Sequence, residues 1–449
     1  MVEEKSEFSY SKQSSWEHFS EDEIQKAYSF CEGYKEFLGL VKTEREAIDY
    51  IVAKAKNQGK EVYVNKHAEA AIVVKGTKPI NEGLRLIISH VDSPRLDLKQ
   101  VPLFEDTESN LAMLETHYYG GIKKVHWVTI PLSIHGVVVK KDGSKVTFRL
   151  GEDENDPVFF IPDLLPHLSH KVQDEKKFKD AVKGEHLDLA IGTKLDTTKD
   201  KDKLKHAILD KLHQDYGLVE EDFISADLEI VPSYKPRDVG FDRSMVGAYG
   251  QDDRVCAYTS LKAILEIDHP TYTTIALFVD KEEIGSEGNT SAQSVTFLRS
   301  LIKKMNPSVD VDEVMLVTKV ISADVDAAIT PNYTEVFELK NASSLGKGAS
   351  MSKYTGHGGK YSANDASAEY VAEIRALFND HNIPWQTGEL GKVDNGGGGT
   401  VAKYYSRLGM DVIDIGPPVL CMHAPFEITS KLDVYACFLA YTAFFNDMP

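Results

Sequence analysis

Helical patterns and short apolar runs follow one another along most of the chain. Ser20-Glu21-Asp22-Glu23 and Thr43-Glu44-Arg45-Glu46 have capping-box spacing, which predicts helices running toward Leu40 and Gly59. Three apolar runs of strand length come next, centred near Val62, Ile72 and Leu86. After Val239, strand and helix patterns again alternate to the C-terminus. This alternation predicts an α/β fold with a central mixed sheet flanked by helices.

A different pattern occupies the middle of the chain, from about Arg95 to Pro236. Short period-two runs and turns dominate there, and Asp142-Gly143 between two such runs predicts a β-hairpin. Residues 171–205 are rich in charge and predict an exposed excursion or a helical arm. We therefore expect a discontinuous α/β domain, residues 1–94 and 237–449, with an inserted, mostly β domain, residues 95–236.

The composition limits the class of protein. A chain of 449 residues predicts two or three domains of about 150 residues each. The formal net charge of -19 disfavours a nucleic-acid partner, because phosphate backbones are bound by clustered basic charge. No apolar stretch approaches the ~18 residues of a membrane span, so no membrane partner is expected. Met1-Val2-Glu3-Glu4-Lys5-Ser6 lacks the pattern of a signal peptide.

The cysteines at positions 31, 256, 421 and 437 show neither metal-site nor disulfide-scaffold spacing. They indicate a reducing compartment, so we expect a cytoplasmic location. Cys421 lies two residues before His423, yet we expect it to be a buried small residue rather than a ligand or a redox group.

The dipeptide Glu282-Glu283 is the most informative local feature. It follows the apolar run 274–279, which predicts a buried strand. Two adjacent carboxylates at the end of a buried strand repel each other and lose hydration, and a bound metal would offset both penalties. One glutamate would then be a ligand, and the other would be free to move protons. A solvated acidic turn is the alternative, since Asp280 and Lys281 are also charged.

A histidine and an aspartate follow the apolar run that begins at Leu86-Ile87-Ile88. Asp92 lies two residues after His90, so in a continuous strand both would point to the same face. The carboxylate would then hold one imidazole nitrogen and leave the other for a metal. A strand-end histidine paired with a surface aspartate is the alternative.

Three further segments carry metal-type ligands. Asp252-Asp253 precedes a helical pattern, where helix capping is the alternative. Asp324 follows the strand-like run 314–321, and His423 lies shortly after the strand-like run 412–416. Solvated loop residues are the alternative for both.

In chain order the candidates are therefore His, Asp, Glu-Glu, Asp and His. Most of them follow a strand-like run, and open α/β sheets gather their ligand sites at the carboxyl ends of strands. The set matches a two-metal hydrolase with one bridging carboxylate, a histidine and a carboxylate on each ion, and a free glutamate as general base.

These motifs resemble those of the aspartyl aminopeptidase and aminopeptidase I family of dinuclear zinc exopeptidases. The motifs that carry the resemblance are Ser89-His90-Val91-Asp92-Ser93-Pro94, Asp252-Asp253, Glu282-Glu283-Ile284-Gly285-Ser286, Ser322-Ala323-Asp324 with Pro331-Asn332-Tyr333, and Met422-His423. The resemblance covers nearly the whole chain. It implies the zinc exopeptidase type of fold, with residues 1–94 and 237–449 as the catalytic domain and residues 95–236 as a dimerisation domain.

The resemblance also implies two zinc ions per subunit, or cobalt or manganese in their place. The implied metal ligands are His90, Asp252, Glu283, Asp324 and His423. His90 would bind one ion and His423 the other, with Asp252 bridging them. Glu282 would be the general base and Asp92 the partner of His90.

The expected chemistry follows from these roles. Two such ions lower the pKa of a bridging water toward neutrality and supply a hydroxide. Glu282 would take the proton of that water and pass it to the leaving amine. The free N-terminal amine of the substrate would sit near the second ion or an acidic residue, which restricts cleavage to chain ends. We therefore expect a metalloaminopeptidase that acts on short or unfolded peptides with a free N-terminus.

Substrate preference depends on less specific residues. Lys353 and Lys392 would place a cation in the first-residue pocket, with Tyr361 as a polar contact, which predicts a preference for N-terminal Asp or Glu. A broad or leucine-preferring aminopeptidase is the alternative. Two departures from the family fall in this region: Ala327 replaces a histidine found in many members, and the loop 394–400 is richer in glycine.

The resemblance further implies self-association. In that family the second domain builds dimers, which associate into a closed tetrahedral dodecamer. Pro166-His167-Leu168 resembles a segment whose histidine reaches the active site of the neighbouring subunit, where His167 would hold the substrate or its oxyanion. A surface histidine near a helix start is the alternative.

Two hypotheses from other classes stay open. One is a dinuclear metal deacylase of small N-acyl metabolites, which would share every ligand but tolerate a blocked amine. The other is a non-catalytic assembly or cargo protein, which the intact ligand set and Glu282 disfavour.

Overall fold

The computed structural model describes residues 8–449, and the expectation for Met1–Ser6 concerns residues outside this range. Within the described residues the α-helices are α1 (Ser15–His18), α2 (Glu21–Leu40), α3 (Glu44–Asn57), α4 (Pro166–Ser169), α5 (Phe178–Ala181), α6 (Lys203–Tyr216), α7 (Gln251–Glu266), α8 (Thr296–Met305), α9 (Val311–Leu316), α10 (Ala368–Asp380), α11 (Ala402–Ser406) and α12 (Lys431–Asp447). The strands are β1 (Glu61–Asn65), β2 (Glu69–Val74), β3 (Leu84–His90), β4 (Arg95–Asp106), β5 (Leu111–Tyr119), β6 (Leu132–Val139), β7 (Lys145–Leu150), β8 (Leu189–Gly192), β9 (Ala226–Pro232), β10 (Arg237–Val239), β11 (Met245–Ala248), β12 (Thr273–Val279), β13 (Lys319–Ser322), β14 (Asp326–Ala327), β15 (Ala349–Ser352), β16 (Trp385–Thr387), β17 (Asp411–Gly416), β18 (Pro418–Leu420) and β19 (Glu427–Ser430).

The strands of the described residues form three sheets. The largest is mixed and has the order β1-β2-β12-β3-β13-β17-β15-β16, in which β12, β3, β13 and β17 are parallel neighbours. A second sheet has the order β10-β11-β19-β18-β14, and a third, antiparallel sheet has the order β7-β6-β9-β4-β5-β8. The mixed α/β fold predicted from the sequence is confirmed. All strands of the third sheet come from residues 95–232, which supports the proposed inserted domain, residues 95–236.

Helices cover both faces of the eight-stranded sheet. Ile87 and Ala276 point to the face covered by α2, α3, α7, α10 and α12. Leu86 and Ile275, their immediate neighbours in the same strands, point to the face covered by α8, α9 and α11. A strand buried on both faces carries apolar residues on both, which explains why the sequence shows nearly continuous apolar runs rather than alternation.

Both predicted capping boxes are present. The backbone N–H of Glu23 donates to the hydroxyl of Ser20 at 3.4 Å, and the backbone N–H of Ser20 donates to the Glu23 carboxylate at 2.8 Å. Thr43 and Glu46 make the same reciprocal pair at the start of α3. The predicted hairpin at Asp142-Gly143 also forms, as β6 and β7.

Two local predictions are wrong. The run 314–321 is not one strand: residues up to Leu316 belong to α9, and β13 begins only at Lys319. The side chain of Asp310 caps α9 by accepting from the backbone N–H groups of Asp312 and Glu313, which favours helix over strand there. Cys421 is exposed rather than buried.

The prediction of an exposed excursion over residues 171–205 agrees with the structure. The charge-rich segment 171–205 is mostly exposed, and before α6 begins it contains only short elements, namely α5, β8, a π-helical turn at His170–Asp174 and a 3₁₀ turn at Gly184–His186. Among the described residues, no helix is long and apolar enough to cross a membrane.

A buried ion network joins the two proposed domains. Lys42, between α2 and α3, donates through Nζ to Glu152 at 2.7 Å. His135 of β6 lies between Glu46 of α3, at 2.8 Å, and Glu152, at 3.1 Å. Burial opposes ionisation of Glu152, but the contacts with His135 and Lys42 outweigh it and lower the pKa of Glu152 to about 2. The side chains of Lys42 and Glu152 are only 2% and 9% exposed, so their charges depend on each other.

Replacing Glu152 with Gln should lower the free energy of unfolding by about 3 kcal/mol at pH 7, because buried Lys42 loses its counter-charge. A carboxylate whose pKa falls from 4.5 to about 2 on folding stabilises the protein above pH 4.5 and loses that effect as the pH falls toward 2. The difference between wild type and Glu152→Gln should therefore shrink below pH 4.5. Urea unfolding at pH 7 and pH 4 measures this, with the exposed Glu154→Gln as control. Equal unfolding midpoints at pH 7 would contradict the stabilising role.

Candidate metal centre

The carboxyl ends of three neighbouring parallel strands carry most of the candidate residues. His90 is the last residue of β3, Glu282 and Glu283 lie in a 3₁₀ turn after β12, and Asp324 follows β13. Parallel neighbours end at the same edge of a sheet. Residues more than 200 positions apart in the sequence, His90 and Asp324, therefore meet at one place.

Asp252, at the start of α7, lies between the two candidate histidines. Its Oδ1 is 3.3 Å from His90 Nε2, and its Oδ2 is 3.2 Å from His423 Nε2. Asp324 Oδ1 is 3.8 Å from His90 Nε2, and Glu283 Oε2 is 3.5 Å from His423 Nε2. The candidates thus form two groups, His90 with Asp324 and His423 with Glu283, and both groups share Asp252.

Asp92 contacts His90, although for a different reason than the sequence suggested. β3 ends at His90, so Asp92 lies beyond the strand and the same-face argument does not apply. The Nδ1 of His90 lies 3.0 Å from the carbonyl oxygen of Asp92 and 3.3 Å from its Oδ1. The backbone N–H groups of Glu282 and Glu283 donate to the same carboxylate, each at 3.1 Å. Asp92 therefore fixes the imidazole with Nε2 directed at Asp252 and Asp324.

The structure adds two acidic residues that sequence reasoning had not assigned. Asp253 is fully buried, and neither of its carboxylate oxygens has a hydrogen-bond partner. Glu427 of β19 accepts from the backbone N–H of His423 at 2.8 Å and from that of Asp252 at 3.1 Å. Asp253 could have been suspected from its pairing with Asp252, whereas nothing in the local sequence marks Glu427.

The electrostatics of the cluster call for added positive charge. Burial raises the pKa of Glu282 to about 8 and also raises the pKa values of Glu283 and Asp324. The pKa of Asp252 is lowered despite burial, because His423 and His90 hydrogen-bond to it. The same kind of contact with Asp252 outweighs burial of His423 and raises its pKa to about 10. The carboxylates outnumber the two imidazoles, so protonated histidines alone do not balance their charge.

These residues fit divalent metal ions. Among the described residues, two sets of possible ligand atoms lie within 4.8 Å of one another: His90 with Asp252 and Glu283, and His90 with Asp253 and Asp324. The Oε1 of Glu283 is buried without a hydrogen-bond partner, as expected of an atom that binds a cation. Imidazole nitrogen and carboxylate oxygen are donors that zinc accepts in catalytic sites.

A cavity of about 290 Å³ opens onto the cluster. Beyond the cluster its lining includes Val325, Ala327, Leu390 and Met422, together with the glycine loop 397–399. Asp326 and Asp414 also line it, and no lysine or arginine of the described residues does. The cavity is therefore apolar in part and acidic in part.

The predicted substrate-binding residues lie outside this lining. Lys353 Nζ pairs with Asp365 at 2.8 Å, and Tyr361 is exposed. Lys392 lines an adjoining cavity of about 340 Å³, which meets the first at Thr355 and Leu390. Their proposed roles remain predictions.

His167, predicted to act in the neighbouring subunit, lies on α4 in the inserted region and is exposed. It does not line the cavity of its own chain. Both facts are compatible with a role in a neighbouring copy, and that role also remains a prediction.

Comparisons with known proteins agree with this geometry. A family model described as aminopeptidase I zinc metalloprotease (M18) matches residues 43–445. A probable M18 family aminopeptidase 1 of Borrelia garinii subsp. bavariensis is 46% identical over 458 residues, covering 97% of this chain and 100% of that protein. A crystal structure of an M18 family aminopeptidase from Thermotoga maritima has a TM-score of 0.93 at 44% identity, covering 98% of this chain and 100% of that one. The S. cerevisiae mApe1 dodecamer has a TM-score of 0.74 at 20% identity, covering 94% of this chain and 97% of that one, which indicates a shared fold.

Proposed function

Because this chain belongs to the aminopeptidase I zinc metalloprotease (M18) family, we propose that it is an aminopeptidase with two metal ions and Glu282 as general base. The observation that carries the proposal is the position of Asp252, whose two carboxylate oxygens face His90 and His423 separately. A carboxylate shared in this way is the expected bridge of a two-metal site.

The metal ligands follow from the two groups of side chains. His90 and Asp324 would hold one ion, His423 and Glu283 the other, and Asp252 both. Two divalent ions would polarise the scissile carbonyl and lower the pKa of the attacking water. Zinc is the proposed metal, with cobalt or manganese as alternatives, because these donors suit all three.

Glu282 is the proposed proton carrier. It lines the cavity beside the ligands but belongs to neither group of ligands. Its backbone N–H donates to Asp92, so the same aspartate that orients His90 also fixes the start of the Glu282 turn. Burial raises the pKa of Glu282 to about 8, so its carboxylate is a stronger base than an exposed glutamate: it takes a proton from water and, once protonated, returns that proton to the leaving amine.

The acidic surroundings support a substrate with a free N-terminal ammonium. Asp326 and Asp414 line the cavity next to the ligands. Burial raises the pKa of Asp326 and raises that of Asp414 to about 7, but a nearby ammonium favours their charged forms, so a positively charged chain end is attracted and a blocked end is not. This feature favours an aminopeptidase over the deacylase that the ligands alone would also permit.

The same acidic groups weigh against the predicted preference for N-terminal Asp or Glu. Lys353 is paired with Asp365, and an acidic side chain would reach Lys392 only by extending past Thr355 and Leu390 into the adjoining cavity. The apolar part of the lining supports the alternative, a broad or leucine-preferring aminopeptidase.

Self-association is part of the proposal, as a tetrahedral dodecamer built from dimers. The inserted region exposes an unusual run of large apolar side chains on either side of α4, namely Val158, Phe160, Leu164, Leu165, Leu168, Val172 and Phe178. Such a stretch is typical of an interface between copies. His167 lies within it, which supports a role in the neighbouring active site. We also keep the cytoplasmic location as a proposal, since all four cysteines are free.

The activity can be tested with free and N-acetylated aminoacyl chromogenic substrates, before and after chelation and after adding zinc, cobalt or manganese. We expect chelator-sensitive release from the free-amine substrates only. Release should be about tenfold faster with Leu than with Asp, a difference of ~1.4 kcal/mol in transition-state binding. Release fastest with Asp would restore the acidic preference. Release from N-acetylated substrates would indicate the deacylase, and no release with any metal would refute the enzyme.

Replacing Glu282 with Gln should lower kcat by at least ~100-fold, the usual contribution of a general base, and leave metal content unchanged. Glu287→Gln is the matched control, because Glu287 is exposed in the same loop. Metal analysis and steady-state kinetics of the purified variants measure both quantities. Near-normal kcat in Glu282→Gln would remove Glu282 from the mechanism.

The role of His167 in a neighbouring subunit can be tested by mixing two inactive variants. His167→Ala and Glu282→Gln should each be nearly inactive alone. Dissociating and reassembling them together should restore about a quarter of wild-type activity, because half of the dimers are mixed and one site in each is complete. Activity after reassembly is the measurement, and His170→Ala is the control for loss of an exposed histidine. No recovery in confirmed mixed oligomers would show that His167 does not act across subunits.

A further inference from the structure

The second imidazole nitrogen of each candidate histidine is held by a separate partner. His90 Nδ1 faces Asp92, as described above, and His423 Nδ1 donates to the carbonyl oxygen of Gly121 at 3.1 Å. Groups that hold this nitrogen fix the ring orientation and tune the affinity for the metal. In this protein both sets of contacts lead to one short segment of the inserted region, Tyr119–Gly121.

The chain reaches this position through the β4–β5 hairpin. β4 begins at Arg95, directly after the segment that carries His90 and Asp92, and runs away from the metal centre. β5 returns antiparallel to it, and the register places Tyr119 opposite Arg95. The last residue of β5 is therefore brought back to the start of the hairpin, beside the metal centre.

Tyr119 acts on the His90 side. Its hydroxyl donates to Asp92 Oδ2 at 2.8 Å, while Oδ1 of the same carboxylate faces His90 Nδ1 at 3.3 Å. The Arg95 guanidinium lies 4.0 Å from the centre of the Tyr119 ring, and Arg95 is itself fixed by Glu229 at 3.1 Å. The Tyr119 side chain is thus held at its hydroxyl by Asp92 and at its ring face by Arg95.

Gly120 and Gly121 lie against the His423 side of the metal centre. Gly120 has φ +73°, and a Cβ there would lie 3.3 Å from the Cβ atoms of both Glu283 and Pro94. A Cβ at Gly121 would lie 3.1 Å from His423 Nδ1. A methyl group at Gly120 or Gly121 would therefore press against Glu283 or His423 and require one of them to shift by a few tenths of an ångström.

We propose that Tyr119–Gly121 positions both metal-binding histidines, so that the inserted domain sets the affinity of the metal centre. Tyr119 is a positioning residue that acts through Asp92, and Gly121 acts through its carbonyl oxygen and its missing side chain. The inference rests on the proposed function, because it concerns the same two ions.

The main test is Tyr119→Phe, which removes the hydroxyl and keeps the ring beside Arg95. Zinc affinity of the His90 site should fall by about 10–100-fold, the usual effect of losing a group that orients a ligand. The other site should change much less. Competition with a chromophoric chelator measures both affinities, starting from metal-free protein. Tyr118→Phe is the matched control, since Tyr118 is 44% exposed and the hydroxyl that donates to Asp92 is that of Tyr119.

The second variant is Gly121→Ala, which should weaken zinc binding mainly at the His423 site, because His423 must shift away from the new methyl group. Gly39→Ala is its control, since a Cβ at Gly39 meets nothing closer than 3.6 Å. Thermal unfolding of each metal-free protein shows whether a variant has lost zinc affinity through loss of fold.

The outcomes distinguish the positioning role of Tyr119–Gly121 from the proposed function on which it rests. Wild-type zinc affinity in both Tyr119→Phe and Gly121→Ala would overturn the positioning role and leave the proposed function intact. Weaker binding accompanied by an equally large loss of metal-free stability would overturn it too, since the residues would then be structural only. A wild-type protein that binds no divalent metal would overturn the proposed function and this inference with it.

Discussion

The constraint on which this structure depends is negative charge buried at the end of a sheet. The neighbouring strands β3, β12 and β13 deliver His90, Glu282, Glu283 and Asp324 to one edge of the sheet, where Asp252 joins them. Buried carboxylates that are not paired are costly, and here they exceed the histidines available. Protonation of some carboxylates, or added positive charge, offsets that cost. The surrounding hydrogen bonds therefore serve to hold acidic side chains close together rather than to separate them.

Much of this arrangement could be predicted because its signals are short in sequence. A capping box is complete within four residues, and Ser20 with Glu23 forms as expected. The signal for a ligand at the carboxyl end of an apolar run is equally local, because parallel strands bring such ends to one edge of the sheet whatever their order in the sequence. The failure at residues 314–321 has a local cause as well. Asp310 caps a helix a few residues upstream, and that cap outweighed the β propensity of the apolar residues that follow.

Contacts that depend on how segments distant in the sequence come together could not be predicted. Asp365 pairs with both Lys353 and Lys360, and no local pattern in the sequence indicates either contact. Glu427 carries no motif, yet it holds the backbone of both His423 and Asp252. Tyr119 likewise looks like any aromatic residue at the end of a strand until its partner across the hairpin is known. Pattern and composition indicate which side chains can do chemistry, whereas the pairing of strands decides which of them meet.

The β4–β5 hairpin is irregularly paired near its middle. This irregularity separates the base of the hairpin, beside the metal centre, from its tip. The regular register near the metal centre pairs Leu98 with Thr116, and the outer register restarts only at Leu103 with Leu114. Residues 99–102 therefore lie opposite a single residue of β5, and they absorb differences in strand length. Changes in length at the exposed tip, residues 107–110, do not propagate past this irregularity. The tip of the hairpin is thus free to diverge during evolution and is a suitable place to graft a foreign peptide, while a one-residue deletion between Arg95 and Leu98 would turn the base of the hairpin to the opposite face.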